Sequence, residues 1–539
     1  MNIIEKKNVT DVLVIGAGAS GAAFSWSLAE AGINVICLEQ GAEVNPKNYP
    51  ATKDDWEIYK QTEFHPDPNV RKLSHDYPLN NDETDIIPVM YNAIGGSTII
   101  WMAHFPRLHP SDFKVKSLDG IAEDWPISYE KLEKYYDIND KMVGVSGLNG
   151  DTAYPKKSPR TTRPLPLGKL GNKIVKGFNN LGWHWWPSDS AIISEQYDER
   201  EECNSAGTCG IGCIRRAKAS ADVTYWPKAL YKGAEIYENC RVREIIVGKD
   251  GLATGAEYYD ENGNINFQAA RIVVLACNGI GTPRLLLNSK SNLFPNGLAN
   301  SSGLVGKNLM FHPVTSVTGI FDENLESFKG PPACLLYSHQ FYETDSSRDF
   351  LRGFGFQITR GVGPVSTAIG NFGHEKIPWG TNHRKTFLEH YGHTITIGVH
   401  GEDLPEEHNQ ITLDPYLHDS DGIPAPKINY KLGDNSKSLL KYGNKRAEEL
   451  LEASGAKNII TNTLAPGENG CHLMGTARMG IKNNKSVVNE YGRSHDVKNM
   501  YIIDGSVFVT AGAVNPTSTI QAFALHVADY IKNNSNNIF

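Results

Sequence analysis

The stretch Thr10–Leu38 decides the fold, and it reads TDVLVIGAGASGAAFSWSLAEAGINVICL. Val12–Ile15 is a short, largely β-branched apolar run, which is typical of a buried strand. The small and apolar residues of Ala22–Ala29 predict a helix, and the apolar run Asn34–Leu38 predicts a second strand. A strand, a helix and another buried strand in this order are typical of a parallel α/β nucleotide-binding unit.

Glycines between the first strand and the helix indicate what this unit binds. They have the spacing G-x-G-x-x-G: Gly16 permits a tight turn, Gly18 lets the backbone approach a pyrophosphate, and Gly21 lets the helix pack closely. Phosphate is also attracted by the helix N-terminus. Glu39 follows the second strand, where an acidic side chain accepts hydrogen bonds from an adenosine ribose. The unit predicts a dinucleotide site; the alternative is a glycine-rich turn in another kind of α/β domain.

The overall composition excludes several classes of protein. The chain has 539 residues, of which 40% are hydrophobic and 21% charged, and a formal charge of −8. This length predicts more than one domain-sized unit. The mild negative charge and the lack of a basic run argue against nucleic acid as a partner, because phosphate binding needs concentrated Lys and Arg.

The N-terminal residues and the cysteine content indicate a compartment. MNIIEKKNVTD has no long apolar region and no cleavage-type site, so we expect a polar lead into the first strand and no secretory signal peptide. No window reaches the ~18 uninterrupted apolar residues of a membrane span. Eight cysteines are too few for a disulfide scaffold in so long a chain. A cytoplasmic location is predicted, although export with a partner subunit is compatible with the same pattern.

The remaining sequence predicts a nucleotide-binding domain that is interrupted. Residues 43–90 are polar and poorly periodic, which favours a long, irregular, lid-like insert. Arg271–Ala276 returns as a buried strand, whereas residues 314–470 carry strand-like runs that predict an antiparallel sheet facing the substrate. We therefore assign residues 1–313 and 471–539 to the nucleotide-binding domain and 314–470 to the substrate domain. The strand-like runs are Ser316–Phe321, Phe350–Ile358, His393–Val399 and Gln410–Leu413.

Segment 150–215 contains three closely spaced cysteines, Cys203, Cys209 and Cys213, in CNSAGTCGIGC. Without a secretion signal, this spacing suggests a metal or an iron–sulfur cluster. Such a site usually needs a fourth ligand, and no further Cys or His follows at a useful spacing. The favoured alternative is that the three are thiols along a glycine-rich turn.

Several blocks spread over the chain together resemble the glucose–methanol–choline (GMC) flavoprotein oxidoreductases, in the family's order. The resemblance implies an α/β fold with a discontinuous, Rossmann-like FAD-binding domain and an α+β substrate domain on an antiparallel sheet. It also implies bound FAD and oxidation of an alcohol on a small molecule. The blocks are GAGASG with Glu39, GGSTIIW with RLHPSDF, WPISYEKLEKYY, GIGTPRLLLNS, GLVGKNLMFHP (Gly303–Pro313), CHLMGTARMG (Cys471–Gly480) and IIDGSVFVTAGAVNPTST (Ile502–Thr519).

The resemblance also implies two catalytic residues. Oxidation of an alcohol needs a base for the hydroxyl proton while the carbinol carbon gives hydride to flavin N5, and histidine is the natural base near neutral pH. His472, in the H-x-x-G-T block, matches the family's base. Asn515 stands where relatives carry a second His or an Asn, and its amide orients the hydroxyl without acting as a base. Taken alone, each residue would more readily be interpreted as structural.

Non-covalent FAD is implied as well. Some relatives attach FAD through a His inside the block that reads GGSTIIW here; Ile100 stands at that position, and its side chain cannot form such a bond. The implied FAD contacts are Gly16, Gly18, Ala19, Ser20, Gly21 and Glu39 for the ADP half, Gly95, Gly96 and Ser97 beside the flavin, Val242 at the adenine, and Asp504, Gly505, Pro516 and Thr517 near the C-terminus.

The substrate is less sharply implied. The cysteine block and Ala217–Leu230 look most like those of bacterial sugar- and polyol-oxidising members, some of which hold an iron–sulfur cluster. A sugar, glycoside, aminoglycoside or polyol is therefore expected. Two alternatives are a flavoprotein lyase acting on a cyanohydrin and a redox-inactive flavin-binding subunit. The electron acceptor stays open between O2, a quinone and a redox protein such as a cytochrome, and a small partner subunit is compatible with the sequence.

Overall fold

The computed structural model describes residues 4–59, 62–84, 86–332, 335–360, 363–369, 377, 379–462 and 470–535. Strands and helices are numbered in chain order. The first sheet contains the unit quoted above and has five parallel strands, with an antiparallel pair added beside β8. The parallel strands are, in spatial order, β5 (Glu235–Tyr237), β2 (Val35–Leu38), β1 (Ile4–Ile15), β8 (Ile265–Leu275) and β16 (Met500–Ile502); the pair is β7 (Ala253–Tyr259) and β6 (Arg241–Val247).

Strand β1 is longer than the sequence predicts. The polar lead is part of the strand from Ile4 onward, and Ile4–Lys6 pair with Asn266–Gln268 of β8. The pairing register then shifts before Thr10. Polar residues extend the strand because β8 offers backbone hydrogen bonds over its whole length, which a pattern of apolar residues does not report. Residues 1–3 of the predicted lead lie outside the described residues.

Helices cover the first sheet. Helix α1 (Ala19–Ala29) packs on α12 (Thr517–Asn533) and α7 (Tyr225–Tyr231). Its close approach to β1 requires small residues: a Cβ on Gly21 would lie 2.0 Å from the Gly16 carbonyl oxygen. The other helices in this part are α2 (Trp56–Tyr59), α3 (Pro68–Arg71), α4 (Val115–Asp119), α5 (Tyr129–Val143) and α8 (Asn278–Asn288).

The second sheet is antiparallel and has six strands among the described residues. Its apolar side packs on α11 (Asp434–Ala453), with α6 (Gly168–Leu181) beside it. Helix α6 and β4 come from segment 150–215, so part of that segment packs with this sheet. In spatial order the strands are β15 (Asn458–Thr461), β9 (Val314–Ile320), β12 (Thr394–Gly401), β11 (Phe354–Thr359), β10 (Leu336–Phe341) and β4 (Trp186–Pro187); α9 (Pro364–Ile369) and α10 (His383–His390) connect β11 to β12.

One of the strand-like runs predicted for the substrate sheet belongs to a different sheet. Gln410–Leu413 begins β13 (Gln410–His418), which pairs with β14 (Pro424–Tyr430) and, through it, with β3 (Asn80–Thr84) in a separate sheet. The prediction placed this run in the substrate sheet because alternation does not identify a strand's partner. Its buried side packs over α8 in a cluster with Ile280 and Phe311. Among the described residues, every helix is too short or too polar to cross a membrane.

Candidate active site

A cavity of about 1100 Å³ lies between the first and second sheets. At one end it reaches the carboxyl ends of β1 and β2, and at the other it reaches the cavity-facing residues of β9, β11 and β12. Of the predicted site residues, Gly21 and Gly95 lie behind its wall. The others line it: Gly16, Gly18, Ala19, Ser20, Glu39, Gly96, Ser97, Val242, His472, Asp504, Gly505, Asn515, Pro516 and Thr517.

The glycine loop forms a cradle at the N-terminus of α1. Gly16 has a φ of +104°, which a side chain would strain. Nothing lies within 4 Å of a Cβ placed on Gly18, so that position opens onto the cavity. The turn at Gly95-Gly96 packs against the loop, because a Cβ on Gly96 would lie 2.9 Å from the Gly18 Cα. The exposed backbone and the helix N-terminus fit a pyrophosphate.

Glu39 is fixed at the end of β2. Its Oε2 accepts the Ala17 N–H at 2.8 Å and its Oε1 accepts the Gly41 N–H at 2.9 Å. Burial raises the pKa of this carboxyl to about 7, against the effect of these hydrogen bonds. A carboxyl held in this way keeps lone pairs for two ribose hydroxyls, so the residue fits the adenosine half of FAD.

The C-terminal block closes the other side of the cradle. Asp504 is buried and accepts hydrogen bonds from Thr282 Oγ1 at 2.6 Å and from the Ser506 N–H at 2.9 Å. Pro516 and Thr517 begin α12, whose N-terminus therefore borders the cavity. Two helix N-termini and a side-chain-free loop along one cavity fit an extended, anionic dinucleotide such as FAD.

His472 is paired with a second histidine. Its Nδ1 lies 2.7 Å from His312 Nδ1, and His312 Nε2 lies 2.7 Å from the Gly512 carbonyl oxygen. A carbonyl only accepts, so neutral His312 carries its proton on Nε2 and accepts at Nδ1. His472 then carries its proton on Nδ1, which leaves a lone pair on Nε2.

Asn515 lies on the other side of the same ring. Its Nδ2 is 3.3 Å from His472 Nε2, and its Oδ1 accepts a hydrogen bond from Gln357 Nε2. Because Gln357 donates to the amide oxygen, the amide NH2 group faces His472. Hydrogen bonds therefore run in one direction, from Gln357 through Asn515 and His472 to His312, and the His472 Nε2 lone pair accepts the Asn515 N–H.

The histidines at this end of the cavity are neutral near pH 7. Burial lowers the pKa of His312 to about 4 and that of His472 well below the ordinary value of histidine. His312, His400 and His104 lower the pKa of His472 further, because a second imidazolium nearby would repel the first. His472 is therefore in the form that accepts a proton.

Sequence reasoning missed His312, Gln357 and His400. His312 is the histidine of the block GLVGKNLMFHP, so a signal was present, although the block was used only to establish the resemblance. Gln357 and His400 are cavity-facing residues of β11 and β12, and no motif surrounds them.

The cysteine block gives no support to an iron–sulfur cluster. Within the part of the chain that the structure describes, no three Cys, His, Asp or Glu side chains form a group that could hold a metal. Burial also raises the pKa of the Cys203 thiol, and it raises that of Cys209 to about 12. Cys203, Cys209 and Cys213 all pack against the core of the first sheet, as structural thiols do.

Comparisons with known proteins identify the family. Models described as GMC oxidoreductase match residues 10–314 and 405–524. The chain is 43% identical over 527 residues to 2-methyl-1,2-propanediol dehydrogenase of Mycolicibacterium austroafricanum, covering 97% of this chain and 95% of that protein. The chain belongs to the GMC oxidoreductase family. It is also 29% identical over 551 residues to the fructose dehydrogenase large subunit of Gluconobacter japonicus, covering 97% and 98% of the two chains.

A solved structure shares the fold. A variant of formate oxidase from Aspergillus oryzae RIB40 aligns over 100% of both chains with a TM-score of 0.66 and 15% identity. The predicted family and the predicted fold class, an α/β FAD-binding domain with a substrate domain, are confirmed. As a member of this family the protein is an FAD-dependent oxidoreductase acting on CH–OH groups.

Proposed function

We propose that this protein oxidises an alcohol group of a small, neutral diol or polyol, with His472 Nε2 as the base. The observation that carries the proposal is the direction of the hydrogen bonds around His472. The carbonyl of Gly512 fixes the tautomer of His312, which in turn fixes that of His472. A lone pair at Nε2, on a histidine that lines the cavity, is what abstraction of a hydroxyl proton requires.

The neighbours of His472 support this role. Its Nε2 has one lone pair, so a substrate hydroxyl must replace the Asn515 N–H as donor. That bond is long, at 3.3 Å, and is easily exchanged. The displaced Asn515 N–H then donates to the substrate oxygen and orients it while the proton passes to His472. A bound FAD would supply the acceptor for the hydride of the carbinol carbon, so that the alcohol would become a carbonyl.

The residues described above support non-covalent FAD. The glycine loop with Ala19 and Ser20, together with Glu39, would hold the ADP half, and the turn at Gly96-Ser97 and the start of α12 would border the flavin. Ile100 also lines the cavity and offers no nucleophile. We propose residues 1–313 and 471–539 as the FAD-binding domain and 314–470 as the substrate domain, with α6 and β4 contributing to the substrate sheet. Acid denaturation should release all FAD, and flavin retained on the precipitated chain would contradict non-covalent binding.

The charges along the cavity favour a neutral substrate over an aminoglycoside. An amino sugar is cationic and needs a free carboxylate. Three acidic side chains line the described cavity, namely Glu39, Glu57 and Asp504. Glu39 and Asp504 lie at the dinucleotide end, and both oxygens of Glu57 are engaged by the backbone N–H groups of Val365 and Ser366. The diol named for the relative of 43% identity supports the same class, and the fructose dehydrogenase relative favours a sugar as the second candidate.

One anaerobic experiment separates the candidates. The holoenzyme is mixed in turn with 2-methyl-1,2-propanediol, fructose, paromamine and mandelonitrile, and the flavin absorbance is followed. We expect bleaching by the diol and none by the aminoglycoside. Cleavage of the cyanohydrin without bleaching by any alcohol would identify a lyase. No response to any compound would favour a redox-inactive subunit. Readmission of O2, or addition of a quinone or a cytochrome, then identifies the electron acceptor, while the cytoplasmic location stays a prediction.

A further inference from the structure

The substrate end of the cavity is built on two neighbouring strands of the second sheet. Gln357 of β11 lies directly opposite Gly398 of β12 in the register, and His400 follows two residues later on the same face. Gln357, Gly398 and His400 all line the cavity. Because Gln357 also holds Asn515, this part of the sheet lies beside the His472–Asn515 pair.

Gly398 leaves room for the imidazole of His400, whose Nε2 lies directly over the glycine. A Cβ on Gly398 would lie 3.2 Å from His400 Nε2 and 3.6 Å from the Gln357 carbonyl oxygen. The imidazole of His400 therefore leans over the glycine, toward the residue that positions Asn515. Neither ring nitrogen of His400 hydrogen-bonds another of the described residues, although the ring borders the cavity. A polar atom in such a place is satisfied by what the cavity contains.

The imidazole of His104 also has a ring nitrogen without a hydrogen-bond partner among the described residues. His104 is 4% exposed and lines the cavity, and this nitrogen is its buried Nδ1. Its position follows from Ala103, whose φ of +59° turns the chain at this point. A protonated His104 would repel a protonated His400, and each would repel a protonated His472, so the three rings lie near one another.

The chemistry of these rings selects a hydroxyl. Burial lowers the pKa of His400 to about 3 and that of His104 to about 4, so both are neutral. A neutral imidazole offers one N–H and one lone pair, as an alcohol does, whereas a carboxylate only accepts and an ammonium only donates.

We propose that the part of the cavity bordering His400 Nε2 is a subsite for the second, non-reacting hydroxyl of a vicinal diol or polyol, held by His400 Nε2 while His472 takes the proton of the first. The inference rests on the proposed function and adds the residue that recognises the neighbouring hydroxyl. His104 lines the same cavity, and Gly398 is the position that lets the His400 ring lie where it does.

A matched pair of substrates tests the subsite. 2-Methyl-1,2-propanediol and 2-methyl-1-propanol differ only in the tertiary hydroxyl. His400→Asn removes Nε2, and it should lower the ratio of kcat/KM for the diol to that for the mono-alcohol about tenfold, since one hydrogen bond contributes up to ~1.5 kcal/mol. His408→Asn makes the same change at an exposed histidine, whose side chain is 62% exposed, and should leave the ratio unchanged.

A second variant displaces the His400 ring without changing the residue itself. Gly398→Ala places a methyl group 3.2 Å from His400 Nε2, and it should lower the same ratio at least as much. An unchanged ratio in both variants overturns the proposal. If the wild type oxidises neither alcohol, that result contradicts the proposed function and leaves the subsite to the next experiment.

A binding measurement that needs no turnover distinguishes failure of the subsite from failure of the proposed function. Pinacol is a vicinal diol whose two carbinol carbons carry no hydrogen, so it cannot be oxidised; tert-butanol is the matched mono-alcohol. Calorimetric titration of the wild-type holoenzyme should show tighter binding of pinacol than of tert-butanol, and His400→Asn should remove the difference. Equal affinities for the two alcohols in the wild type would overturn the subsite whatever the enzyme oxidises.

Discussion

The two walls of the cavity recognise their ligands by different means. The wall of the first sheet presents backbone: glycines without side chains at Gly16 and Gly18, and two helix N-termini. The wall of the second sheet presents side chains from strands far apart in sequence, among them Gln357 and His400. Recognition by backbone constrains residue types at fixed spacing, whereas recognition by side chains depends on the packing of separate strands. The first leaves a motif and the second does not.

The largest effect is expected on the backbone wall, at Gly18. Gly18→Val should yield a folded, colourless protein without activity, because the new side chain meets no chain atom within 4 Å of its Cβ and instead occupies space expected for the pyrophosphate. Absorbance at 450 nm and circular dichroism measure the two properties. Gly21→Val is the contrast: its Cβ would lie 2.0 Å from the Gly16 carbonyl oxygen, so this variant should fail to fold. A yellow Gly18→Val protein with a full complement of FAD would contradict the assignment.

The next effect is expected at His472, between the two walls. His472→Ala should keep FAD and lose flavin reduction by about 10²–10⁴-fold, the range of general-base assistance. A near-normal rate of anaerobic flavin reduction in that variant would place the base elsewhere.

The pH dependence of His472 gives a second measurement. Only the neutral ring accepts a proton, so the rate in the wild type should fall as the pH drops through the pKa of His472. Since burial lowers this pKa well below the ordinary value, the rate should be flat at pH 7 and decline only in the acid range. His472→Ala should lack this decline. A wild-type decline centred at pH 7 would show that the ring is more solvated than the structure indicates.

A smaller loss is expected at His312, which acts through His472. His312→Ala removes the acceptor that fixes the His472 tautomer, and a loss of about 10–100-fold in flavin reduction is expected from misplacing the base. The acid decline should also move to higher pH, because one ring that lowers the pKa of His472 is gone. His312→Asn should recover part of the rate, since its amide oxygen can accept the His472 N–H. Equal rates and pH profiles in the two variants would indicate a role in packing alone.

The same contrast, between local contacts and contacts of distant strands, explains which parts of the fold and of the site the sequence predicts. The nucleotide unit was predictable because its contacts are local: Glu39 binds the N–H of Ala17, 22 residues away, and the glycines act within one turn. By contrast, Gln357 meets Asn515 from 158 residues away, and this meeting depends on the register of β11 and β12. Resemblance supplied His472 and Asn515, since they lie in blocks that resemble those of the family. Nothing in the sequence pairs His472 with His312.

Asn515 should have a modest effect. Asn515→Ala removes one positioning hydrogen bond and leaves the base, so flavin reduction should fall about 3–10-fold, the worth of one neutral hydrogen bond. Asn515→His should retain activity, because an imidazole N–H can also donate to the substrate hydroxyl. A loss as large as that of His472→Ala would mean that Asn515 does more than orient the hydroxyl. Gln357→Leu is the control, and it should resemble Asn515→Ala because it frees the amide to rotate.

The smallest effect is expected at the thiols of the cysteine block, whose backbone borders the cavity at Thr208 and Gly210 but whose three cysteines do not line it. Cys209 is 9% exposed and packs against the core of the first sheet. Cys209→Ser places a hydroxyl in that core, so the free energy of unfolding should fall by about 1–3 kcal/mol if the hydroxyl finds no partner. FAD content and flavin reduction should stay within about twofold of the wild type, because no contact of the cavity is removed. Cys203→Ser, at a half-buried thiol, should be milder still. If anaerobically purified wild-type protein contains iron and sulfide and Cys209→Ser lacks them, the cysteines bind an iron–sulfur cluster. If both proteins lack iron and sulfide, the thiols have a structural role.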